Sequence, residues 1–417
     1  VRIVIYPHSM EFGGSQRNAI DIATALRDRG HELTVFCPPG PLVELVTERR
    51  LRHEIAPLPR IRPSFAVMKR LCAVVEAADA DVVHGFEWPP AVEALFGPGR
   101  KLGVPAVCTV MSMSVAPFLP RWLPLTVGTE SIFRTERTHR TNVILMEPPV
   151  DTEHDRPVDQ VAAKRRLGID PEILVVSLVT RLATELKREG ILAAIEAVGV
   201  LAREFPVTLV IAGDGPIRAE ADAAARRANA AAGTRAVLLT GNLVDPRPVY
   251  DAADVALGMG GSALRSMAFR KPLIVQGERG FWRVLGPDSL TSFTENGWFG
   301  VGTADEERDG AARLGRLLRP LLADADARAA LGSFSRATVE SRYGLPTAVE
   351  RLEGFYLEAI RRGHAMPVPA SRLLAPYLSV TGYEIRRKVK RRLGGVVSDD
   401  FNSLASIQIQ SDRSVSR

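Results

Sequence analysis

The sequence predicts an α/β protein built from two Rossmann-like domains, each a mainly parallel sheet with helices on both faces. Three observations predict it. Short apolar runs alternate with amphipathic stretches along most of the chain. The alternation breaks once, around residues 147–159, and then restarts. And 417 residues are too many for one ordinary core. Parallel strands need a helix-length crossover, so alternation at this spacing implies parallel sheets. Ligands of such sheets bind beyond the carboxyl ends of the strands. The two halves are therefore expected to face each other across a deep cleft.

In the first half, RIVIYP (2–7) reads as a buried strand. SQRNAIDIATALRDRG (15–30) places Ala19, Ile22, Ala23 and Leu26 at helical spacing and stops at Gly30. ELTVFCP (32–38) is a strand, 41–51 a helix, HEIAPLP (53–59) a strand and 65–80 a helix. DVVHG (81–85), PAVCTV (105–110) and LTVGT (125–129) are further strands. EPPVDTEHDRPVD (147–159) is rich in proline and acids and reads as a hinge. The second half repeats the scheme, with strands expected at 173–182, 207–216, 236–242, 254–259 and 272–277 and helices at 189–205, 217–232 and 246–252. The expected division is residues 1–150, residues 151–345, a last amphipathic helix at 346–363 and a basic tail at 364–417.

Bulk composition excludes several classes. The hydrophobic fraction of 46% and mean hydropathy of +0.02 fit a soluble globular protein. No apolar run is long enough to cross a bilayer, and the opening VRIVIYP carries no signal-peptide pattern. Cys37, Cys72 and Cys108 form neither a CxxC nor a Cys/His cluster, so no metal site is expected and a reduced, cytoplasmic compartment is. The net charge of +6 is concentrated at one end: from Ser371 to Arg417 nine basic residues face four acids. The body is close to neutral, which argues against a nucleic-acid-binding globule. Within the tail, Ile385, Val389 and Leu393 recur every fourth residue among arginines and lysines. That pattern suits a helix lying on an acidic membrane surface, at the inner face of the membrane, as well as a solvated extension. Past Gly394 the sequence is polar and is expected to lack order.

Candidate ligand groups cluster at expected strand ends. Gly13 and Gly14 open the first helix, where backbone amides can approach an anion; a tight strand–helix turn needs them equally. Arg181 ends a strong apolar strand and Lys187 follows six residues later, before a helix. A guanidinium fork and a point charge there suit a pyrophosphate, although a solvated charged loop has the same composition. IAGDGP, with Gly213, is half a dinucleotide fingerprint and equally a sharp packing turn. GMGGS adds Gly260 and Gly261, which can offer amides to the same phosphates. His84 ends DVVH, with Glu87 and Trp88 just beyond; a packed histidine fits as well as a substrate contact. No Ser-His-Asp pattern, HExxH or P-loop is present.

In order and spacing, six blocks over about residues 1–363 resemble the family 4 retaining glycosyltransferases of GT-B architecture. They are GGSQRNAIDIATALRDRGHELTVF with DVVHG, then VTRLATELKREG, LVIAGDGP, GNLVDPRPVYDAADVALG and SMAFRKPLIV. The resemblance implies metal-independent transfer of a sugar from a nucleotide-diphosphate sugar, UDP- or GDP-linked, to a glycan, lipid-linked or secondary-metabolite acceptor. It implies catalytic roles for Arg181, Lys187 and His84 and a donor contact at Gly14; beside it, the residues themselves suggest donor contacts at Gly213, Gly260 and Gly261 and acceptor-side contacts at Gly13 and Glu87. One departure is large. Two glutamates separated by seven residues are usual in the last block, and the aligned positions are Leu257 and Arg265. Arg265 cannot accept hydrogen bonds from ribose hydroxyls; it is expected either to add charge beside the diphosphate or to swing out and leave the ribose to another group. Glu278, after the next strand, is expected to substitute in part for the missing carboxylate. A non-catalytic GT-B binding protein and a sugar-nucleotide epimerase fit the same blocks.

Overall fold

The structure, a computed structural model, describes residues 1–363, 367–393 and 401. The polar sequence past Gly394 lies outside the described residues apart from Phe401. The chain divides into two compact units: residues 1–149 with the described residues from Leu345 on, and residues 150–344.

The first unit is built on β1 (Arg2–Pro7), β2 (Glu32–Cys37), β3 (Arg52–Ile55), β4 (Val82–Phe86), β5 (Ala106–Val110), β6 (Leu125–Val127) and β7 (Val143–Leu145). All pair in parallel, in the order β3-β2-β1-β4-β5-β6-β7. β1, β4 and β5 are apolar runs because both faces of the sheet are covered by helices. The last amphipathic helix, Leu345–Gly363, belongs to this unit: Val349, Leu352, Phe355 and Tyr356 join Ile3, Ile22 and Leu26 in one core.

The second unit has β8 (Leu174–Val179), β9 (Val207–Ala212), β10 (Val237–Gly241), β11 (Val255–Gly258), β12 (Leu273–Gln276) and β13 (Trp282–Val284). Their order is β10-β9-β8-β11-β12-β13, with only β13 antiparallel. Both sheets reverse their strand order at the first strand, between β1 and β4 and between β8 and β11. Such a switch point leaves a crevice at the carboxyl ends of the two strands, where ligands of doubly wound sheets bind.

The expected strands and helices form within a few residues of their predicted bounds; β7, β13 and several helices, among them Pro287–Asn296, Gly310–Ala323 and Ala325–Arg342, were not expected. The tail differs more. A helix runs over Ala370–Arg392, straight through Pro376, and so begins well before the Ile385–Leu393 repeat that suggested it. Leu373 and Val380 are buried on the first unit, and that packing outweighs the local cost of the proline.

Candidate functional site

In the second unit, the β8–β11 register pairs Leu178 with Leu257, so the segments after the two strands leave the sheet side by side. The first carries Arg181 and Lys187, the second Gly260 and Gly261. Arg181 is exposed, and among the described residues no carboxylate pairs with it. Lys187 caps the helix Arg188–Leu201, whose first turn has no side-chain cap. Burial, and next the Arg181 guanidinium, push the Lys187 ammonium down to about 8, and no acid offsets them. Two neighbouring cations without a counter-charge, beside uncapped helical amides, have the chemistry that suits an anion.

The segment holding Lys187 is strapped down from several sides. Gln276, at the end of β12, donates from Nε2 to the Lys187 carbonyl at 3.3 Å. The Leu186 N–H donates to the Glu278 carboxylate, and Leu186 itself sits at φ +63°. Glu189 accepts the Arg279 N–H at 2.9 Å and the Gly280 N–H. Desolvation holds the Glu278 carboxyl above the usual carboxylate range, and its Oε2 is buried with no partner among the described residues. Glu278 thus lies beside the Lys187 segment with one oxygen unused.

Two family models match this chain, one on each half: "Glycosyltransferase Family 4" over residues 12–141 and "Glycosyl transferases group 1" over residues 173–319. The chain is a GT-B glycosyltransferase of the family 4 type. Solved structures share its fold at low identity. A glycosyltransferase from Rickettsia africae aligns with TM-score 0.66 and 14% identity, over 86% of this chain and 98% of that one. HepE of Anabaena in complex with UDP aligns at 0.64 and 15%, over 86% and 100%. Sucrose-phosphate synthase of Thermosynechococcus elongatus aligns at 0.63 and 14%, over 87% and 100%. No curated protein sequence matches significantly.

Several expected ligand groups of the glycosyltransferase turn out to be occupied by the protein. His84 is fully buried; its Nδ1 lies 2.6 Å from the Tyr356 hydroxyl and its Nε2 2.6 Å from Thr109 Oγ1. Burial pushes its imidazole down to about 3, so it is a neutral packing group and not a catalytic residue. Glu87 is also engaged. It is buried, and its carboxylate accepts the Met111 N–H at 3.0 Å and the Ser112 hydroxyl at 2.7 Å, so it ties down the segment after β5.

Gly213 donates its N–H to the Gly241 carbonyl at 2.8 Å, and a Cβ there would fall on the Thr180 carbonyl oxygen. It is glycine for packing, at φ +144°, and offers no amide to a phosphate. The Gly260 N–H is likewise taken, by the Trp298 carbonyl at 2.9 Å. Gly261 differs: it opens the helix Gly261–Ala268, and nothing lies within 4 Å of a Cβ built on it.

Arg265 does not add charge to the anion site. Its Nη1 is 3.2 Å from Asp155 Oδ2, and both side chains are largely buried. Arg336 donates to the carbonyls of Thr152 and Asp155 at 2.8 and 3.1 Å, so the two arginines together fix the segment that enters the second unit.

In the first unit the glycine turn keeps its geometry. Gly13 precedes the helix Gly14–Asp28 in an extended conformation, and around Gly14 there is open space. Gln16 lies 3.1 Å from His8 Nε2 and donates to Ser9 Oγ at 2.7 Å. Sequence reading missed His8, Gln276 and Glu189. A signal for two of them existed: each is polar at the carboxyl end of a buried strand, His8 after RIVIYP and Gln276 after PLIV.

Proposed function

We propose that this glycosyltransferase moves a hexosyl group from a nucleoside-diphosphate sugar to an acceptor hydroxyl with retention at the anomeric carbon. The observation that carries this reading is the Arg181–Lys187 pair, cationic and without a counter-charge, at the switch point of the second sheet. A diphosphate supplies the missing charge: Arg181 engages it through a planar fork and Lys187 as a point charge. HepE, solved with UDP and with UDP-glucose, supports uridine diphosphate as the nucleotide carrier to test first.

In the transfer, the bond from the anomeric carbon to the diphosphate oxygen breaks and a bond to the acceptor oxygen forms on the same face. The acceptor proton passes to the leaving phosphate oxygen. No side-chain base is required, which agrees with His84 being sealed in the core. The largest developing charge is on the diphosphate, so the preorganised cations of the second unit supply the main stabilisation. Glu278, with an unused oxygen beside the Lys187 segment, takes the place of the absent ribose or sugar carboxylate.

The test is calorimetry with UDP together with mass spectrometry of product from UDP-glucose and an acceptor library, with anomeric configuration read by NMR. Wild-type protein should bind UDP and release it on transfer, and Arg181→Ala should lose roughly a hundredfold in turnover. Inverted product, or activity indifferent to Arg181→Ala, overturns the mechanism. A second reading is favoured by the engagement of Arg265 with Asp155, which leaves its position without a ribose acceptor. On that reading the protein binds nucleotide without turnover, and calorimetric binding with no released product would establish it.

A further inference from the structure

The helix Ala370–Arg392 has two apolar faces, and the first unit uses only one of them. Leu373, Val380 and Glu384 are buried, Tyr377 packs edge-on against Phe96 at 5.6 Å, and Tyr383 packs against Trp88 at 5.7 Å. At about 100° per residue, these positions lie on one side of the helix. Leu374, Leu378, Ile385 and Val389 fall on the other side, in a narrow stripe that continues to Leu393. Each of these five exposes half or more of its surface. From Leu374 to Val389 the stripe is roughly 22 Å long at 1.5 Å rise per residue.

Charge identifies the occupant. Arg372, Arg386, Lys388, Lys390 and Arg392 are exposed around the stripe. The helix has one acid, Glu384, and it is buried with Arg387 3.7 Å away. The solvent side of the helix is therefore apolar and basic, with no carboxylate. A second copy of the chain docking on the same face would set these cations against one another. An anionic lipid surface complements both features: acyl chains take the leucines, isoleucine and valine, and headgroup phosphates take the long basic side chains that reach up beside them. Among the described residues no helix is long and apolar enough to cross a membrane, so this helix would lie along the surface.

We infer that the exposed face of Ala370–Arg392 docks the protein on anionic phospholipid bilayers. Docking is independent of the transfer reaction, so its failure leaves the proposed function untouched. Full-length protein is sedimented with vesicles of phosphatidylcholine alone and with vesicles containing phosphatidylglycerol. Sedimentation is expected with the anionic vesicles only, and to fall as salt rises.

Lys388→Gln with Lys390→Gln should weaken partitioning about fivefold per charge removed. Leu378→Glu with Ile385→Glu should abolish it while leaving UDP binding by the second unit unchanged. Should the apolar variant unfold, the charge variant alone decides. The inference is overturned by equal sedimentation with neutral and anionic vesicles, or by none with either. It is equally overturned if light scattering finds a dimer that Leu378→Glu dissociates.

Discussion

The two switch points share a topology and differ in chemistry. At the β1–β4 end of the first unit, the buried carboxylates and His84 are answered by other polar groups, although Ser15 Oγ, at the start of the helix after β1, is buried with no partner among the described residues. Glu93, fully buried, receives the Tyr6 hydroxyl and the Arg62 guanidinium at 2.6 Å each, and the Ser64 N–H at 3.0 Å. His84 and Glu87 are satisfied in the same way. At the β8–β11 end of the second unit, Arg181 and Lys187 repel each other and Glu278 keeps an unused oxygen. Unsatisfied groups cost stability, so they persist where a ligand completes them. On that difference rests the placing of the charged ligand at the second unit in the proposed function.

The largest effect that breaks or sharpens this comparison is on stability. Glu93→Ala leaves Arg62 buried without its carboxylate and should cost about 3–5 kcal/mol in urea unfolding. Lys187→Met leaves no partner behind and relieves a depressed ammonium, so unliganded protein should be no less stable. If Lys187→Met cost as much as Glu93→Ala, Lys187 would be a structural cation and the anion site would be lost as an idea.

Next comes pH, with different signatures in the two units. The His84 imidazole is pushed down to about 3 in the fold, below its ordinary value of 6.5. The unfolded chain therefore takes up a proton first, and stability should fall by about 1.4 kcal/mol per pH unit below about 6. His84→Gln should flatten that slope. Lys187 is pushed to about 8 from 10.5. Its unfolded form holds the proton longer, so between about 8 and 10.5 rising pH should add stability to the unliganded protein. Over the same window UDP affinity should fall, because the ammonium proposed to meet the phosphate is lost. Stability and affinity moving together in that window would contradict the assignment, and Lys187→Met should remove both trends.

The legibility of these features in the sequence followed their range. Strands such as RIVIYP and LVIA could be read because burial on both faces writes an uninterrupted apolar run. Arg181 and Lys187 could be placed because a strand end and a helix start bracket them. His84 could not be judged, because the Tyr356 hydroxyl that fixes it comes from a helix 272 residues away. Arg265 was misread for the same reason: Asp155, its partner, lies 110 residues earlier in what looked like a hinge. Glycine turns carried the least information. GDG and GMGG read alike in sequence, yet backbone oxygens occupy the Gly213 and Gly260 amides and leave Gly261 open.

That last contrast supports the smallest predicted effect and the finest comparison of the two units. Gly14 and Gly261 hold the same place, as the first residue of a helix after a switch-point strand, with nothing within 4 Å of an added Cβ. Neither is forced to be glycine by its own surroundings. Alanine at either site should leave stability unchanged or raise it by a few tenths of a kcal/mol, because helices favour alanine over glycine. Any loss must then come from a ligand that approaches the backbone closely. Gly261→Ala should weaken UDP binding in calorimetry, since its amide lies at the charged end of the second sheet. Gly14→Ala should leave UDP affinity intact and act, if at all, on turnover with acceptor. If Gly14→Ala weakened UDP while Gly261→Ala did not, the nucleotide would belong to the first unit, and the contrast between the satisfied and unsatisfied switch points would have been read the wrong way round.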